Sequence, residues 1–286
     1  MQTPAPSRLA IVTGASSGFG RAAAEALARQ GFDLFLVCRD RARAERAAGE
    51  IAAVAPRVRV ELSIADLSSI GEVQRAAEEI LRAGRPIHLL LNNAGAVFAS
   101  RRESSDGIEY TFALNHLAYF QLTLRLLGRL RESAPSRVVN VASDAYSYAG
   151  GRFDFDDYAA RERYRPLRQY GRSKLANILF THELARRLDG SGVGSAAWSP
   201  KGLTATRFAY EAHWLAPAVM KLLHPFSVKT QDAVEGLLEL CQRELSPAQN
   251  GRFFCGNRMV DVRPSNDEDA RRLWKLSAEL TGIGGS

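Results

Sequence analysis

The sequence predicts an α/β protein in which a parallel β-sheet is covered by helices on both faces. Short apolar runs alternate with longer helical patterns along most of the chain, which is typical of parallel strands joined by helical crossovers. Most of the runs are continuously apolar, as expected for strands buried on both faces. No Pro-, Gly- or Ser-rich linker, repeat or change of composition divides the 286 residues, so we expect one domain spanning 1–286.

The predicted elements follow one another closely. Short apolar runs have the length of strands at 9–13, 32–37, 58–62, 87–91, 137–141, 193–198 and 251–255. Helical patterns occupy 21–29, 42–54, 70–83, 111–131, 167–188, 230–243 and 266–280. Two segments interrupt this alternation. Residues 150–166 are polar and aromatic and are predicted to be a loop insertion, whereas 204–228 carry apolar side chains around two prolines.

Composition limits the classes of function. A net charge of +7 could suit nucleic acid, but the basic residues are scattered among acidic ones and no nucleic-acid-binding motif occurs. The excess positive charge could instead attract an anionic cofactor. The three cysteines form no CxxC pair, which fits a reducing compartment. Residues 1–8 lack the apolar core of a signal peptide, and no apolar run approaches the length of a membrane span. We therefore expect a cytoplasmic protein without a membrane span.

A glycine-rich loop joins the first strand to the first helix. Its three glycines, Gly14, Gly18 and Gly20, have the spacing Gly-x-x-x-Gly-x-Gly. Glycines at such a junction let the backbone approach a pyrophosphate, which binds at the positive end of the following helix. The position of the loop therefore predicts a dinucleotide-binding site.

The end of the second strand indicates which dinucleotide. A carboxylate there would favour NAD by bonding the adenosine ribose, but this strand ends in Cys38 and Arg39. Because a guanidinium can pair with a 2′-phosphate, Arg39 favours NADP(H) over NAD(H). Asp40 follows one residue later, and Arg21 could contribute further positive charge. The alternative is that Arg39 is a solvated residue at a helix start.

Tyr170 and Lys174 lie four residues apart in a predicted helix and so share one face. An ammonium beside a phenol favours the phenolate and lowers the pKa of the phenol, which would make Tyr170 a proton donor and acceptor near neutral pH. The alternative is an ordinary surface tyrosine with a neighbouring lysine.

Three motifs together resemble the short-chain dehydrogenase/reductase family: residues 13–20 around the glycines, Asn92-Asn-Ala-Gly95, and Tyr170-x-x-x-Lys174. The chain is most similar to the retinol dehydrogenase-like branch. The strings that carry this similarity are 114–120, 173–180 and 269–277. The resemblance extends from about Leu9 to Gly282. It implies a Rossmann-type doubly wound sheet of about seven strands in the order 3-2-1-4-5-6-7.

The resemblance also implies four catalytic residues. Tyr170 would be the acid and base, and Lys174 would lower its pKa and bind the nicotinamide ribose. Ser143 would bond the substrate oxygen, and Asn115 would hold a water that connects Lys174 to solvent. On the residues alone, Ser143 suits a turn and Asn115 an ordinary helix position.

Matching positions imply a cofactor site, with Asn92 stabilising the sheet and lining the cleft. Its residues are Gly14, Ser16, Ser17, Gly18, Phe19, Gly20, Arg39, Asp66, Leu67, Asn93, Ala94, Gly95, Tyr170, Lys174, Pro200, Gly202 and Thr206. Asp66 and Leu67 would contact the adenine, although Asp66 alone also suits a helix cap. Lys201 is a departure from the family pattern and either adds a residue or replaces a glycine. Thr206 is therefore the expected nicotinamide contact, with Thr204 as a rival.

The predicted activity is that of an NADP(H)-dependent carbonyl reductase or alcohol dehydrogenase for a small-molecule substrate. The apolar segment 204–228 is expected to form a substrate lid, and its aromatic character suggests a bulky, lipophilic or aromatic substrate. Histidine and aspartate spacing predicts no metal site. The alternatives are an NADP-sensing binding protein on the same fold and a sister reaction such as C=C reduction or epimerisation. Family members often form homodimers or homotetramers, whereas branches with insertions can be monomeric.

Overall fold

The computed structural model describes residues 8–200, 230–262 and 267–284. Its strands are β1 Leu9–Thr13, β2 Asp33–Cys38, β3 Val60–Ile64, β4 Leu89–Asn92, β5 Ser136–Val141, β6 Val193–Ser199, β7 Phe253–Cys255 and β8 Arg258–Val260. Its α-helices are α1 Gly18–Arg29, α2 Arg41–Val54, α3 Ile70–Arg82, α4 Tyr110–Phe112, α5 Ala118–Glu132, α6 Pro166–Arg187, α7 Thr230–Gln242 and α8 Asp267–Thr281.

All the described strands belong to one sheet in the order β3-β2-β1-β4-β5-β6-β7-β8. The pairings from β3 to β7 are parallel, and β8 is antiparallel to β7. The predicted fold class and the predicted order of seven strands are confirmed. The eighth strand was missed because it has three residues, none of them buried, and therefore leaves no apolar run in the sequence.

Helices cover both faces of the sheet because each face is apolar. On one face, α1, α2 and α7 contribute Leu27, Ile51 and Leu237 to a single buried cluster. On the other face, α3, α5 and α6 contribute Ile80, Leu126 and Leu184 to a second cluster. Since the central strands run parallel, their carboxyl ends meet at one edge of the sheet, where polar side chains from different elements can converge.

The predicted long helix at 111–131 is not a regular α-helix. It begins as the single turn α4, passes through a π-helical turn at Ala113–Leu117, and continues as α5. Sequence periodicity cannot distinguish such a turn because the flanking apolar pattern continues through it. The consequence is local, since the π-turn sets the direction of Asn115.

The predicted insertion is an ordered layer that packs on α6. A 3₁₀-helix at Asp144–Ala149 precedes it, and Phe153 of the insertion joins a buried cluster with Phe112 and Leu175. The buried guanidinium of Arg172 holds it by donating to the Asp154 carboxylate at 2.6 Å and to the Asp157 carbonyl at 2.8 Å. The insertion is therefore attached directly to the helix that carries Tyr170 and Lys174.

No helix in the described part of the chain combines the length and apolar character needed to cross a lipid bilayer.

Candidate active site

The glycine loop after β1 makes contacts that no larger residue could make. Gly14 and Gly18 have φ angles of +68° and +57°, which L side chains rarely adopt. A Cβ on Gly14 would lie 2.9 Å from the Cα of Ala94. A Cβ on Gly20 would collide with the amide of Asn93. The loop therefore lies directly against the segment that follows β4.

Thr13 fastens these two segments together. Its hydroxyl accepts hydrogen bonds from the backbone N–H groups of Asn93 at 2.8 Å and Ala94 at 2.9 Å. The Asn93 side chain donates in return to the Thr13 carbonyl at 2.8 Å. Thr13 was not among the predicted site residues. Its position directly before the first glycine was the only signal, and that position is also typical of a buried strand end.

The first turn of α1 suits a bound anion. Ser17, at the N-cap, makes no side-chain capping bond, and the turn contains no acidic residue. Its N–H groups and the helix dipole therefore favour a negatively charged group. Arg21 forms an ion pair with Glu50 at 2.5 Å, and the Ser16 side chain hydrogen-bonds to the buried Cys38 thiol. The glycine loop and the N-terminus of α1 together fit a dinucleotide pyrophosphate.

The residues after β2 and β3 differ in how they are engaged. Arg39 is exposed at the end of β2, whereas the Asp40 carboxylate caps α2 by accepting from the Arg43 N–H at 2.9 Å. Asp66 accepts from the Ser68 hydroxyl at 2.7 Å and from the Tyr110 hydroxyl at 3.3 Å. The adjacent Leu67 is buried. Asp40 is thus held by a helix terminus, and Asp66 by a turn before α3.

Asn92 stabilises the sheet but does not border the cleft. Its amide donates to Asn140 of β5 at 2.9 Å and to Thr123 of α5 at 3.0 Å. The side chain is completely buried, so the prediction that Asn92 lines the cofactor cleft is wrong. Burial follows from its position within β4, between two neighbouring elements that both supply hydrogen-bond partners.

Tyr170 and Ser143 meet at the carboxyl end of β5. Tyr170 is 6% exposed on α6, and the Ser143 side chain hydrogen-bonds to its phenol. Burial raises the pKa of Tyr170 far more than the bond with Ser143 lowers it, and the nearby Asp144 carboxylate raises it further. The expected lowering of this pKa by Lys174 is therefore not observed. The phenol is neutral at physiological pH, and it can act as a proton donor.

Lys174 is buried beneath the tyrosine. Its Nζ atom donates to the Val141 carbonyl at 2.7 Å and lies 5.5 Å from the centre of the Tyr170 ring. Burial lowers the pKa of Lys174 to about 7, because an ammonium loses its hydration when it leaves water. This side chain can therefore exchange a proton near neutral pH.

Asn115 lies in the π-turn and faces the same region. Its side chain accepts from the Ala96 N–H at 2.9 Å and donates to the Ala96 carbonyl at 3.0 Å. A Cβ on Gly95 would lie 3.0 Å from Asn115 Oδ1 and 3.6 Å from Lys174 Nζ, so these three residues lie close together. The Asn115 carbonyl accepts from the Asn177 amide at 2.8 Å. The water relay remains a prediction.

The last of the predicted site residues follow β6. Pro200 is described there, and its carbonyl accepts from the Ser199 hydroxyl at 3.0 Å. Gly202, Thr204, Thr206, Lys201 and the predicted lid 204–228 lie outside the described residues. The structure thus brings together Tyr170, Ser143, Lys174, Asn115 and the glycine loop, and it leaves the nicotinamide contact and the lid as predictions.

Comparisons with known proteins agree with this arrangement. A family model described as short chain dehydrogenase matches residues 8–213. Retinol dehydrogenase 12 from Mus musculus is 38% identical over 280 residues, which cover 97% of this chain and 87% of the mouse protein.

Solved structures agree as well. The crystal structure of an uncharacterised protein from Mycobacterium paratuberculosis has a TM-score of 0.74 and 31% identity, covering 98% of this chain and 96% of that one. A candidate NAD(P)-dependent gluconate 5-dehydrogenase from Beutenbergia cavernae, solved with NADP at low occupancy, has a TM-score of 0.67 and 26% identity, covering 87% of this chain and 95% of that one.

The chain belongs to the short-chain dehydrogenase family. Within that family it is related to the retinol dehydrogenases, as the resemblance predicted. The predicted class of enzyme, an oxidoreductase acting on alcohols and carbonyl groups, is confirmed by this membership.

Proposed function

We propose that this protein uses NADP(H) to interconvert a carbonyl group and an alcohol on a bulky lipophilic substrate. The observation that carries the proposal is the convergence of Tyr170, Ser143 and Lys174 beside a glycine loop and an uncapped helix terminus. The hydroxyls of Ser143 and Tyr170 can together bind a carbonyl oxygen, and a dinucleotide pyrophosphate fits the adjacent glycine loop.

The proposed roles follow from the protonation states. NADPH supplies the hydride when it is bound. Ser143 and Tyr170 hold the carbonyl oxygen, and the neutral Tyr170 phenol gives up its proton as negative charge develops on that oxygen. Lys174 in its charged form stabilises the phenolate that remains. Because burial raises the pKa of Tyr170, the phenol is protonated at neutral pH and is ready for the reductive direction.

The proposed cofactor preference rests on Arg39. Its side chain is exposed directly after β2, whereas the neighbouring Asp40 carboxylate is engaged at the N-terminus of α2. The residue directly after β2 is thus an exposed cation, and a cation at this position favours a 2′-phosphate. The NADP in the Beutenbergia cavernae structure is consistent with this preference.

The proposed extent of the site reaches beyond the described residues. We treat 1–286 as a single NADP-binding domain because every described strand belongs to one sheet. The segment 204–228 is proposed as the substrate lid on the basis of its apolar sequence alone. Since the curated relatives are named retinol dehydrogenases, retinal and retinol are the first substrates to test.

Replacing Tyr170 by Phe tests the proposed reaction. We expect retinal, or another lipophilic aldehyde or ketone in a panel, to be reduced with NADPH by the natural protein. The variant should lose at least about 100-fold in kcat/KM because the proton donor is gone, with NADPH affinity retained. The matched control is Tyr158→Phe, which removes a hydroxyl in the insertion and should retain activity. NADPH binding without Tyr170-dependent turnover would instead favour a cofactor-sensing protein.

Replacing Arg39 by Asp tests the cofactor preference. The variant should lose affinity for NADPH by about 10-fold or more while NADH is used at least as well as before. Arg41→Asp at the exposed start of α2 controls for a general change of charge. An unchanged ratio of the two cofactor affinities would overturn the assignment of Arg39.

A further inference from the structure

A second tyrosine lies beside the buried lysine. Tyr119 of α5 is 1% exposed, and the centre of its ring is 5.6 Å from Lys174 Nζ. Tyr170 presents its ring at 5.5 Å from the same atom. The ammonium is therefore in contact with two aromatic rings, one from each of two helices. Tyr119 is not one of the residues that hold the substrate oxygen or donate the proton in the proposed reaction.

Lys174 has few other interactions that favour its charged form. It donates one hydrogen bond, to the neutral Val141 carbonyl, and no carboxylate among the described residues forms an ion pair with it. The titratable side chains whose rings face its Nζ atom are Tyr170, on the same helix α6, and Tyr119 of α5. The face of an aromatic ring carries partial negative charge, and its attraction for a cation grows when both partners are removed from water.

The surroundings of the Tyr119 hydroxyl indicate whether the ring or the oxygen of this residue interacts with the Lys174 ammonium. It has no hydrogen-bond partner among the described residues, although it is buried. Burial also raises the pKa of this phenol well above its usual range, so it stays neutral and carries no charge toward Lys174. The interaction that Tyr119 offers to the ammonium is therefore that of its ring.

We propose that Tyr119 is a positioning residue whose ring holds Lys174 in its charged form beside Tyr170. The inference deepens the proposed function and rests on it for its catalytic meaning. Without the ring, Lys174 would lose its proton at a lower pH. The Tyr170 phenolate formed during reduction would then lose its stabilising cation over part of the neutral range.

Two substitutions distinguish the ring from the hydroxyl. Tyr119→Phe keeps the ring, and Tyr119→Leu removes it. Phe120→Leu is the control, because Phe120 is a buried neighbour in α5 that packs on Phe180 and Trp274. Tyr119→Met replaces the Leu variant if that variant does not fold by circular dichroism.

The first readout is the pKa of Lys174, followed by NMR in protein labelled with ¹³C at lysine Cε. The chain contains five lysines, so a Lys174→Arg variant identifies the signal. We expect Tyr119→Phe and Phe120→Leu to leave this pKa unchanged, and Tyr119→Leu to lower it by about one unit. Because this readout needs no turnover, it tests the ring even if the proposed reaction proves wrong.

The second readout is the pH dependence of kcat/KM for NADPH-dependent reduction. The alkaline limb, where Lys174 loses its proton, should move by about one pH unit toward acid in Tyr119→Leu and stay in place in Tyr119→Phe. Unchanged pKa values in both Tyr119 variants would overturn the proposal. Equal shifts in both would also overturn it, because they would assign the effect to the hydroxyl.

Discussion

Lys174 shows how a single residue can favour function at the expense of stability. It is buried at the centre of the site, and burial lowers its pKa from 10.5 to about 7. The unfolded chain therefore binds a proton more readily than the folded protein between these two pH values. This difference in proton affinity destabilises the folded protein. The destabilisation is fully present below pH 7 and disappears as the pH rises toward 10.5.

Replacing Lys174 by Met should therefore stabilise the protein while inactivating it. At pH 7.5 the lowered pKa of Lys174 destabilises the folded protein by about 4 kcal/mol, and the substitution removes this penalty. Loss of the hydrogen bond to Val141 costs about 1 kcal/mol, so the free energy of unfolding should rise by about 3 kcal/mol. Reductase activity should fall at least about 100-fold. Urea unfolding at pH 7.5 measures the first effect, with the exposed Lys275→Met as control. A variant no more stable than the natural protein would contradict this account of Lys174.

The pair at 170 and 174 was predictable from spacing, but its electrostatics were not. Four residues on a helix placed Tyr170 and Lys174 on one face, and the structure has them there. The expected lowering of the tyrosine pKa ignored burial, which sequence spacing does not report. Tyr119 was missed for the same reason, since a tyrosine in an apolar helix pattern is ordinarily a core residue.

At the scale of elements, α6 joins the catalytic pair to the strand end that carries Ser143. The contact depends on Gly171, the residue after Tyr170. A Cβ there would lie 2.5 Å from the Ala145 carbonyl and 3.1 Å from Tyr148 Cβ, both in the 3₁₀-helix that begins after Ser143. Only glycine allows this close approach.

Replacing Gly171 by Ala should separate Ser143 from Tyr170. The 3₁₀-helix must move because the two atoms nearest the new methyl group, the Ala145 carbonyl oxygen and the Ala149 nitrogen, belong to its backbone. We expect kcat to fall by about 10-fold or more with little change in NADPH affinity, since the glycine loop lies elsewhere. Gly128→Ala in α5 is the control. Nothing lies within 4 Å of its added Cβ, and it should stabilise the helix by about 0.5–1 kcal/mol. Equal activity of the two variants would contradict the role of Gly171.

The elements themselves were largely predictable, because buried parallel strands and their crossover helices leave long periodic patterns. The features that the sequence could not reveal have weak or ambiguous patterns. The strand β8 has three residues, the π-turn at Ala113–Leu117 retains a helical pattern, and the packing of the insertion depends on the buried Arg172. Arginine in a polar helix position ordinarily indicates solvent exposure.

At the scale of the whole molecule, a buried polar chain connects the site to the C-terminal helix. Asn177 donates to the Asn115 carbonyl and bonds one ring nitrogen of His116 at 3.1 Å. The other ring nitrogen of His116 bonds the Ser277 hydroxyl of α8 at 2.8 Å. The π-turn that carries Asn115 is therefore supported by α6 and α8 together. This network was not predicted, because its members are distant in sequence.

His116 should make stability depend on pH. Burial lowers its pKa from 6.5 to about 4, so the unfolded chain binds the extra proton in this interval and stability falls as the pH falls below 6.5. Between pH 7.5 and pH 5 the loss from His116 should be about 2 kcal/mol in the free energy of unfolding. Urea unfolding at both pH values measures this loss of stability. We expect it to be absent in His116→Gln and retained in Ser277→Ala. The same pH dependence in all three proteins would contradict the assignment.

Hydride transfer from NADPH to a carbonyl carbon can be followed with a deuterium label. The protein is incubated with NADPH that carries deuterium at both C4 positions and with retinal or another lipophilic carbonyl compound, and the product is analysed by mass spectrometry. We expect an alcohol containing one deuterium per NADP⁺ formed, and at least about 100-fold slower formation of that labelled alcohol with Tyr170→Phe, although this variant still binds NADPH. Binding of NADPH with no deuterium in any alcohol, or equal labelling by Tyr170→Phe, would contradict the proposed hydride transfer.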